Sequence, residues 1–415
     1  MPNYTGDEYI KYSEAVLPYG SSTCSKAPSV RPFEPAAIRS GKGCRIYDIE
    51  GREFIDFRNS LGPITLGYQF PDTNEAIIEQ LNKGIVFGNP ADIEGEVAHM
   101  LSEVIPSAEK VRFLKTGGEA VAACIRMARA YTGKNHIIQI GYNGWLNSLS
   151  PDGPVLPRMQ NTSTRNGVPY PLASLHHSCG FNNLPRIKEI VEETNNEVAA
   201  VVVAADYATM AEGKTFYPAL REYCDQKGIL LVYDEIVTGF RIAIGGIQEY
   251  FGVKPDLSVF AKGIANGMPL SAYVGRKEVM DKCDRGGGVS ISSTLGGEAL
   301  SLAACKASIL AYKKYNVIDH LWNQGNKLWD AVNGLLEKHN LPLRMEGFAP
   351  CKTFIAQKSE IENPIGKFFA CAFKNGVSLY NTSYVNYSHK DADVAETIER
   401  LEKACIDFNN KAYEA

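Results

Sequence analysis

An aspartate and a lysine each close a short apolar run. Residues 229–233 read I-L-L-V-Y and end in Asp234, and residues 257–261 read L-S-V-F-A and end in Lys262. Each run is about one strand long and is stopped by a charge, as strands covered on both faces of a parallel sheet are. Open α/β sheets bind ligands at the carboxyl ends of their strands. One carboxylate and one amine would then face a single crevice. Pyridoxal phosphate needs such a pair: a lysine to carry its aldehyde and an acid to keep its pyridine nitrogen protonated, so that the ring can take up the charge of a carbanion. The same two residues can equally form a structural ion pair, and the pair alone does not choose between these readings.

Several segments would have to position that pair. V-R-F-L-K-T-G-G-E-A predicts a strand at 111–114, a glycine turn at Gly117 and Gly118, and a helix over 119–131 closed by Gly133. Glycines let a backbone approach an anion, and a helix N-terminus offers unpaired N–H groups. A plain turn before a helix reads the same way. I-I-Q-I-G-Y-N-G-W at 137–145 predicts a further strand and its loop, and V-A-A-V-V-V-A-A at 198–205 a buried strand. A helix over 217–227 leads to Asp234. A short strand at 272–275, a short helix at 276–284 and a long helix at 297–315 follow Lys262. Residues 72–84 and 92–105 have helical spacing, with Ile93, Val97, Leu101, Val104 and Ile105 on one face. A hairpin beginning at Arg45 turns at Glu50 and Gly51. Residues 146–181 read as a long loop able to supply substrate contacts. R-G-G-G at 285–288 opens no helix after a strand and is not a dinucleotide fingerprint; there is no P-loop.

Composition limits the partners. The chain has 415 residues, 45% hydrophobic and 22% charged, with a formal net charge of −4. That is an ordinary globular balance, and it gives no reason to expect nucleic acid or a membrane as partner. No apolar stretch is long enough to span a bilayer, and the first residues lack the pattern of a signal peptide. A cytoplasmic location is therefore expected. The ten cysteines show no metal spacing and read as free core thiols. His176 and His177 have no ligand partner at metal spacing and read as loop residues.

Three separated segments resemble one family. D-E-I-V-T-G-F-R at 234–241, F-A-K-G-I-A-N-G-M-P at 260–269 and F-L-K-T-G-G-E-A at 113–120 are similar to the class III aminotransferases, in their glutamate-1-semialdehyde aminomutase-like branch. The resemblance runs from about residue 30 onward. It implies an α/β protein of PLP-transferase fold type I, with a mostly parallel large-domain sheet flanked by helices and a smaller α+β domain. The domains are placed at 1–60 (joining the small domain), 61–295 (large) and 296–415 (linker helix and small domain). It implies pyridoxal 5′-phosphate as cofactor, with Lys262 and Asp234 catalytic. Gly117 and Gly118 would face the phosphate, Tyr142 would stack on the ring, and Ile236 would cover the opposite ring face. Thr294 would reach the phosphate of a partner subunit, so that active sites are shared across a homodimer; from the sequence alone a helix-start threonine reads equally well.

The chain also departs from the family. A tryptophan is expected near Leu61, a histidine at Asn143, and a serine-glycine-threonine where Gly118 stands. Asp206 lies where glutamate-proline normally ends the strand. Y-N-T-S-Y-V-N-Y-S-H at 380–389 has no carboxylate where the branch has a glutamate nearby; it reads either as a polar solvent-facing strand or as a site for a hydroxylated substrate. The resulting expectation is an aminotransferase using a small amine donor and a carbonyl acceptor. Its substrate would be an amino sugar or aminoglycoside-like compound, as in antibiotic biosynthesis. The alternative is an intramolecular aminomutase of the glutamate-1-semialdehyde type. An idle, ligand-sensing relative is disfavoured, since it would have no need of Lys262 and Asp234.

Overall fold

A computed structural model describes residues 4–146 and 168–414. The chain forms two compact units, Pro71–Ile318 and Met1–Phe70 with Asp319–Ala415. The division falls at 70/71 and 318/319, not at 60/61 and 295/296. The long helix Ala299–Tyr315 therefore belongs to the larger unit, because it buries residues such as Leu302, Cys305 and Ile309 against the helices Pro71–Leu81 and Asp92–Val104.

The larger unit is built on a sheet of seven strands among the described residues. Their order is Lys110–Leu114, Ser271–Gly275, Leu257–Phe260, Leu230–Asp234, Val198–Ala204, His136–Ile140 and His176–Cys179. Ser271–Gly275 runs antiparallel to both its neighbours, and the remaining pairs are parallel. The two central strands, Leu230–Asp234 and Val198–Ala204, are buried along their whole length, which is why they read as continuous apolar runs.

The helix Gly117–Thr132 covers one face. Thr116 and Glu119 form a reciprocal capping box at its start, and Gly133 ends it with φ 72°. Val121, Cys124 and Ala128 pack with Val202, Val232 and Val259 of the sheet in one apolar cluster. Each buried valine of this cluster contributes roughly 1.5–3 kcal/mol. Gly117 and Gly118 are the first residues of this helix rather than a turn preceding it. Thr116 accounts for the shift, since its hydroxyl caps one residue earlier than the glycines suggested.

Other expectations need correction. The segment at 276–284 is a four-residue helix, Lys277–Met280, and a 3-10 turn, Asp281–Cys283. Of the long loop at 146–181, residues 147–167 lie outside the described residues. The remainder contains a helical turn, Tyr170–Ala173, and the edge strand His176–Cys179. His176 and His177 are thus strand residues, and His177 Nε2 lies 2.9 Å from His136 Nδ1 on the neighbouring strand. An edge strand with only one covered side does not announce itself by hydrophobicity, and H-H-S-C did not.

In the smaller unit, Ile38–Lys42, Arg45–Asp48, Glu53–Asp56 and Val377–Ser378 form one sheet, and Leu343–Glu346, Cys351–Ala356 and Thr382–Tyr384 another. The 380–389 stretch is neither a solvent-facing strand nor a row of open hydroxyls. Ser383, Asn386 and His389 are fully buried. The Ser383 hydroxyl donates to the Tyr380 carbonyl, the Asn386 amide to Asn59 Oδ1, and the Ser388 hydroxyl to the Leu66 carbonyl. The polar side chains are there because burial requires partners, and they find them within the unit.

Candidate active site

The register of the central strands places Ala204 beside Asp234 and Asp234 beside Val259. Lys262 follows three residues after Val259, so acid and amine leave adjacent parallel strands at the same end. The Asp234 carboxylate is buried. Its Oδ1 accepts the Ile236 N–H at 3.1 Å and its Oδ2 accepts the Asn143 side-chain amide at 3.2 Å. Burial pushes its pKa up to about 6, while those two donors and the nearby Lys262 charge pull the other way.

Lys262 sits in the left-handed backbone region, with φ 50°. A non-glycine residue there costs roughly 1–2 kcal/mol, a strain that clusters at functional sites. Burial, assisted by the Arg241 charge and opposed by Asp234, lowers the Lys262 pKa to about 8. At pH 7 roughly a tenth of such amines is unprotonated and able to attack a carbonyl, against well under a thousandth for an ordinary lysine.

The glycine-headed helix reaches the same place. A Cβ on Gly117 would lie 2.3 Å from Ile236 Cδ1, so the two backbones are brought together only because residue 117 has no side chain. The Gly117 and Gly118 N–H groups have no acceptor among the described residues, at the positive end of a 16-residue helix. The loop after His136–Ile140 closes the arrangement. Gly141 has φ 75° and passes the Ala204 carbonyl, and Gly144 has φ 90° and passes Gly118 Cα. Between these glycines Asn143 is buried while Tyr142 is 60% exposed.

The structure therefore brings Lys262, Asp234, Ile236, Gly117 and Gly118 together, with Tyr142 on the adjoining loop. Thr294 is elsewhere, on an exposed turn before Ala299–Tyr315. It is not the cap of that helix: the Glu298 carboxylate is, accepting the Leu300 and Ser301 N–H groups at 2.8 and 3.1 Å. Asp206 also takes no part; its carboxylate accepts the N–H groups of Ala208 and Thr209 in an exposed turn.

Three further residues of this site have no role assigned from the sequence. Asn143 has the contact described above. Arg241 is completely buried, with its Nε donating to the Val237 carbonyl at 2.9 Å. Glu235 faces away from Asp234, accepts the Ile247 and Gln248 N–H groups at 2.9 and 3.1 Å, and has its pKa raised by burial to about 7. The only available signal was their position inside quoted motifs; a charge next to a strand end gives no indication of which way it faces.

The donor set fits pyridoxal phosphate: free N–H groups at a helix N-terminus for a dianion, a buried carboxylate for a ring nitrogen, and an amine of lowered pKa for an aldehyde. The pattern of the family described as Aminotransferase class-III matches residues 26–405. The chain belongs to the class-III aminotransferases. It is accordingly a PLP-dependent enzyme of fold type I. A glutamate-1-semialdehyde 2,1-aminomutase from Persephonella marina is 32% identical over 389 residues, 89% of this chain and 91% of that protein. An omega-transaminase from Sphaerobacter thermophilus superimposes with a TM-score of 0.85 at 25% identity, covering 98% of each chain. A transaminase solved with PLP bound gives 0.89 at 24% identity, covering the whole of both chains. No described helix is long and apolar enough to cross a membrane, and no described group of side chains could hold a metal ion.

Proposed function

We propose that this class-III enzyme is an aminomutase of the type named for its sequence relatives, moving an amino group between neighbouring carbons of glutamate-1-semialdehyde. The observation that carries this choice is similarity to that aminomutase along about nine tenths of both proteins. The cofactor supplies an electron sink for a carbanion at the amine-bearing carbon. Lys262 would hold it through its neutral Nζ, and the same Nζ, once free, would take and return the proton at the substrate carbon. Asp234 holds a proton on the ring nitrogen. The Gly117 and Gly118 N–H groups would bind the phosphate, and Tyr142 and Ile236 would hold the ring between them.

Thr294 acts, on this reading, in the site of a second copy. Its exposure supports that assignment, as do the exposed Ile78, Leu81, Ile85, Val86, Phe87 and Leu295 of the same unit. A homodimer would cover this apolar surface.

A second reading is amino transfer to a hydroxylated carbonyl compound such as an amino-sugar precursor. Leu61 favours it, since the aminomutase branch has a tryptophan there. The 380–389 stretch does not, because its polar groups are bonded inside the smaller unit. Incubating the holoenzyme with glutamate-1-semialdehyde and no added amine separates the two. Isomerisation without a donor supports the aminomutase; no product there, with turnover of oxidised sugars only when glutamate or another amine is added, supports the transferase.

A further inference from the structure

We infer that Asn143 is a positioning residue for Asp234, fixing one carboxylate oxygen through a donor that does not titrate. This rests on the reading above, in which Asp234 holds the ring nitrogen. Asn143 is 2% exposed, and its Nδ2 lies 3.2 Å from Asp234 Oδ2. The other oxygen is fixed by the Ile236 N–H at 3.1 Å. Both oxygens thus have a protein donor, and the carboxylate plane is set from two sides.

The loop is shaped to deliver this amide. With φ 75° at Gly141 and 90° at Gly144, the chain turns sharply on either side of Asn143. A Cβ at Gly141 would lie 2.8 Å from the Ala204 carbonyl oxygen, and Ala204 is the register neighbour of Asp234. A Cβ at Gly144 would lie 3.0 Å from Gly118 Cα. The loop is therefore pressed onto the acid's neighbouring strand and onto the glycine-headed helix at once. Asn143 is the residue between these two contacts whose side chain goes inward.

The residue type matters as well as the place. The resembling family has a histidine here. An imidazole changes its protonation near pH 6.5. A carboxamide donates equally well across that range. The ionisable groups facing Asp234 are then Lys262, from the adjacent strand end, and the Cys124 thiol, from the covering helix. Burial raises the Cys124 pKa far above its usual range, so it stays neutral and adds no titration. With asparagine at 143, the side chain on Asp234 Oδ2 adds no ionisation of its own to those of Asp234 and Lys262.

The test uses N143H, N143A, N143S and D234N, each loaded with pyridoxal phosphate, and follows the visible absorbance band of the bound cofactor from pH 5 to 9. N143H should acquire one ionisation between pH 5 and 8 in addition to those the parent enzyme shows. N143A should lower kcat by about tenfold or more with little change in KM, the loss expected for one hydrogen bond to a charged group. N143S, which keeps a short donor, should recover part of it. Bands and kcat profiles for N143H and N143A that coincide with the parent's would overturn the inference. Should N143A not fold, the N143H band alone decides. D234N separates the two levels: a band that D234N leaves unchanged refutes Asp234 as the ring-nitrogen partner, whereas a band altered by D234N and by neither Asn143 variant refutes only the role given to Asn143.

Discussion

Gly117 and Ile236 come from motifs far apart in the chain, yet a Cβ on the glycine would stand 2.3 Å from Ile236 Cδ1. That contact holds the free N–H groups of the helix start beside Ile236, whose own N–H binds the Asp234 carboxylate. Gly117→Ala is expected to push Ile236 aside and weaken cofactor binding by tenfold or more, read by titrating the apoprotein with pyridoxal phosphate. Binding equal to the parent's would mean that Ile236 yields without disturbing the site.

Gly118 is the opposite case. A Cβ there would meet only the Leu146 side chain, at 3.7 Å, an ordinary contact. Gly118→Ser should fold normally, since glycine in a helix is disfavoured by about 1 kcal/mol. It would also restore a hydroxyl where the family has one. Cofactor affinity should rise several-fold; a drop would place the phosphate away from this turn.

The raised pKa of Asp234 has a stability consequence. Its value rises from 3.8 to about 6 on folding, so the folded protein holds that proton more tightly than the unfolded chain. Between those two values folding stability falls as pH increases, and above about 6 the full penalty of the buried charge is present. It amounts to at most about 3 kcal/mol. The cofactor-free Asp234→Asn protein should therefore melt at a higher temperature than the parent at pH 8, with the difference shrinking toward pH 4. A difference independent of pH would assign the effect to packing instead.

These relationships also show what the sequence could reveal. Asp234 and Lys262 were legible because each ends an apolar run, and burial on both faces leaves such runs uninterrupted. The helix after Gly117 was legible from its glycines and from Gly133. Asn143 was visible only as a departure from a family pattern. Its partner depends on which way a loop residue points, and glycine torsions at 141 and 144 decide that. The 380–389 stretch misled for a related reason: hydroxyls and amides look the same in sequence whether they face a ligand or, as Ser383 and Asn386 do, the interior. The strand His176–Cys179 was missed because an edge strand needs no apolar run, and Ala299–Tyr315 was put in the wrong unit because helical spacing does not say what a helix packs on.

Lys262 loses its proton more readily than an ordinary lysine, because burial and the Arg241 charge disfavour the ammonium form. Covalent attachment of pyridoxal phosphate to the apoprotein should thus accelerate with pH and reach half its limiting rate near pH 8, not near the ordinary lysine value of 10.5. Stopped-flow absorbance over pH 6–10 measures this. Lys262→Ala should abolish attachment and turnover together. A midpoint above about 10 in the parent would show that the amine is solvated before the cofactor arrives.

Lys115 and Glu298 join the start of one helix to the start of another. Lys115 Nζ lies 2.7 Å from Glu298 Oε1 and 2.9 Å from the Pro269 carbonyl, with both side chains largely buried. Glu298 also caps Ala299–Tyr315. The pair therefore ties the start of the helix Gly117–Thr132 to the segment carrying Thr294. Removing one member of a buried pair leaves an unpaired charge, which costs about 3–5 kcal/mol in fully buried cases, while removing both is far milder. Lys115→Met should lower stability by about 2–3 kcal/mol, and adding Glu298→Gln to it should recover at least half, since glutamine can still accept the capping N–H groups. Denaturant titration of the single and double variants measures the coupling. Additive losses would mean that the two side chains act independently, the glutamate as a cap and the lysine through the Pro269 carbonyl and the Ser301 hydroxyl.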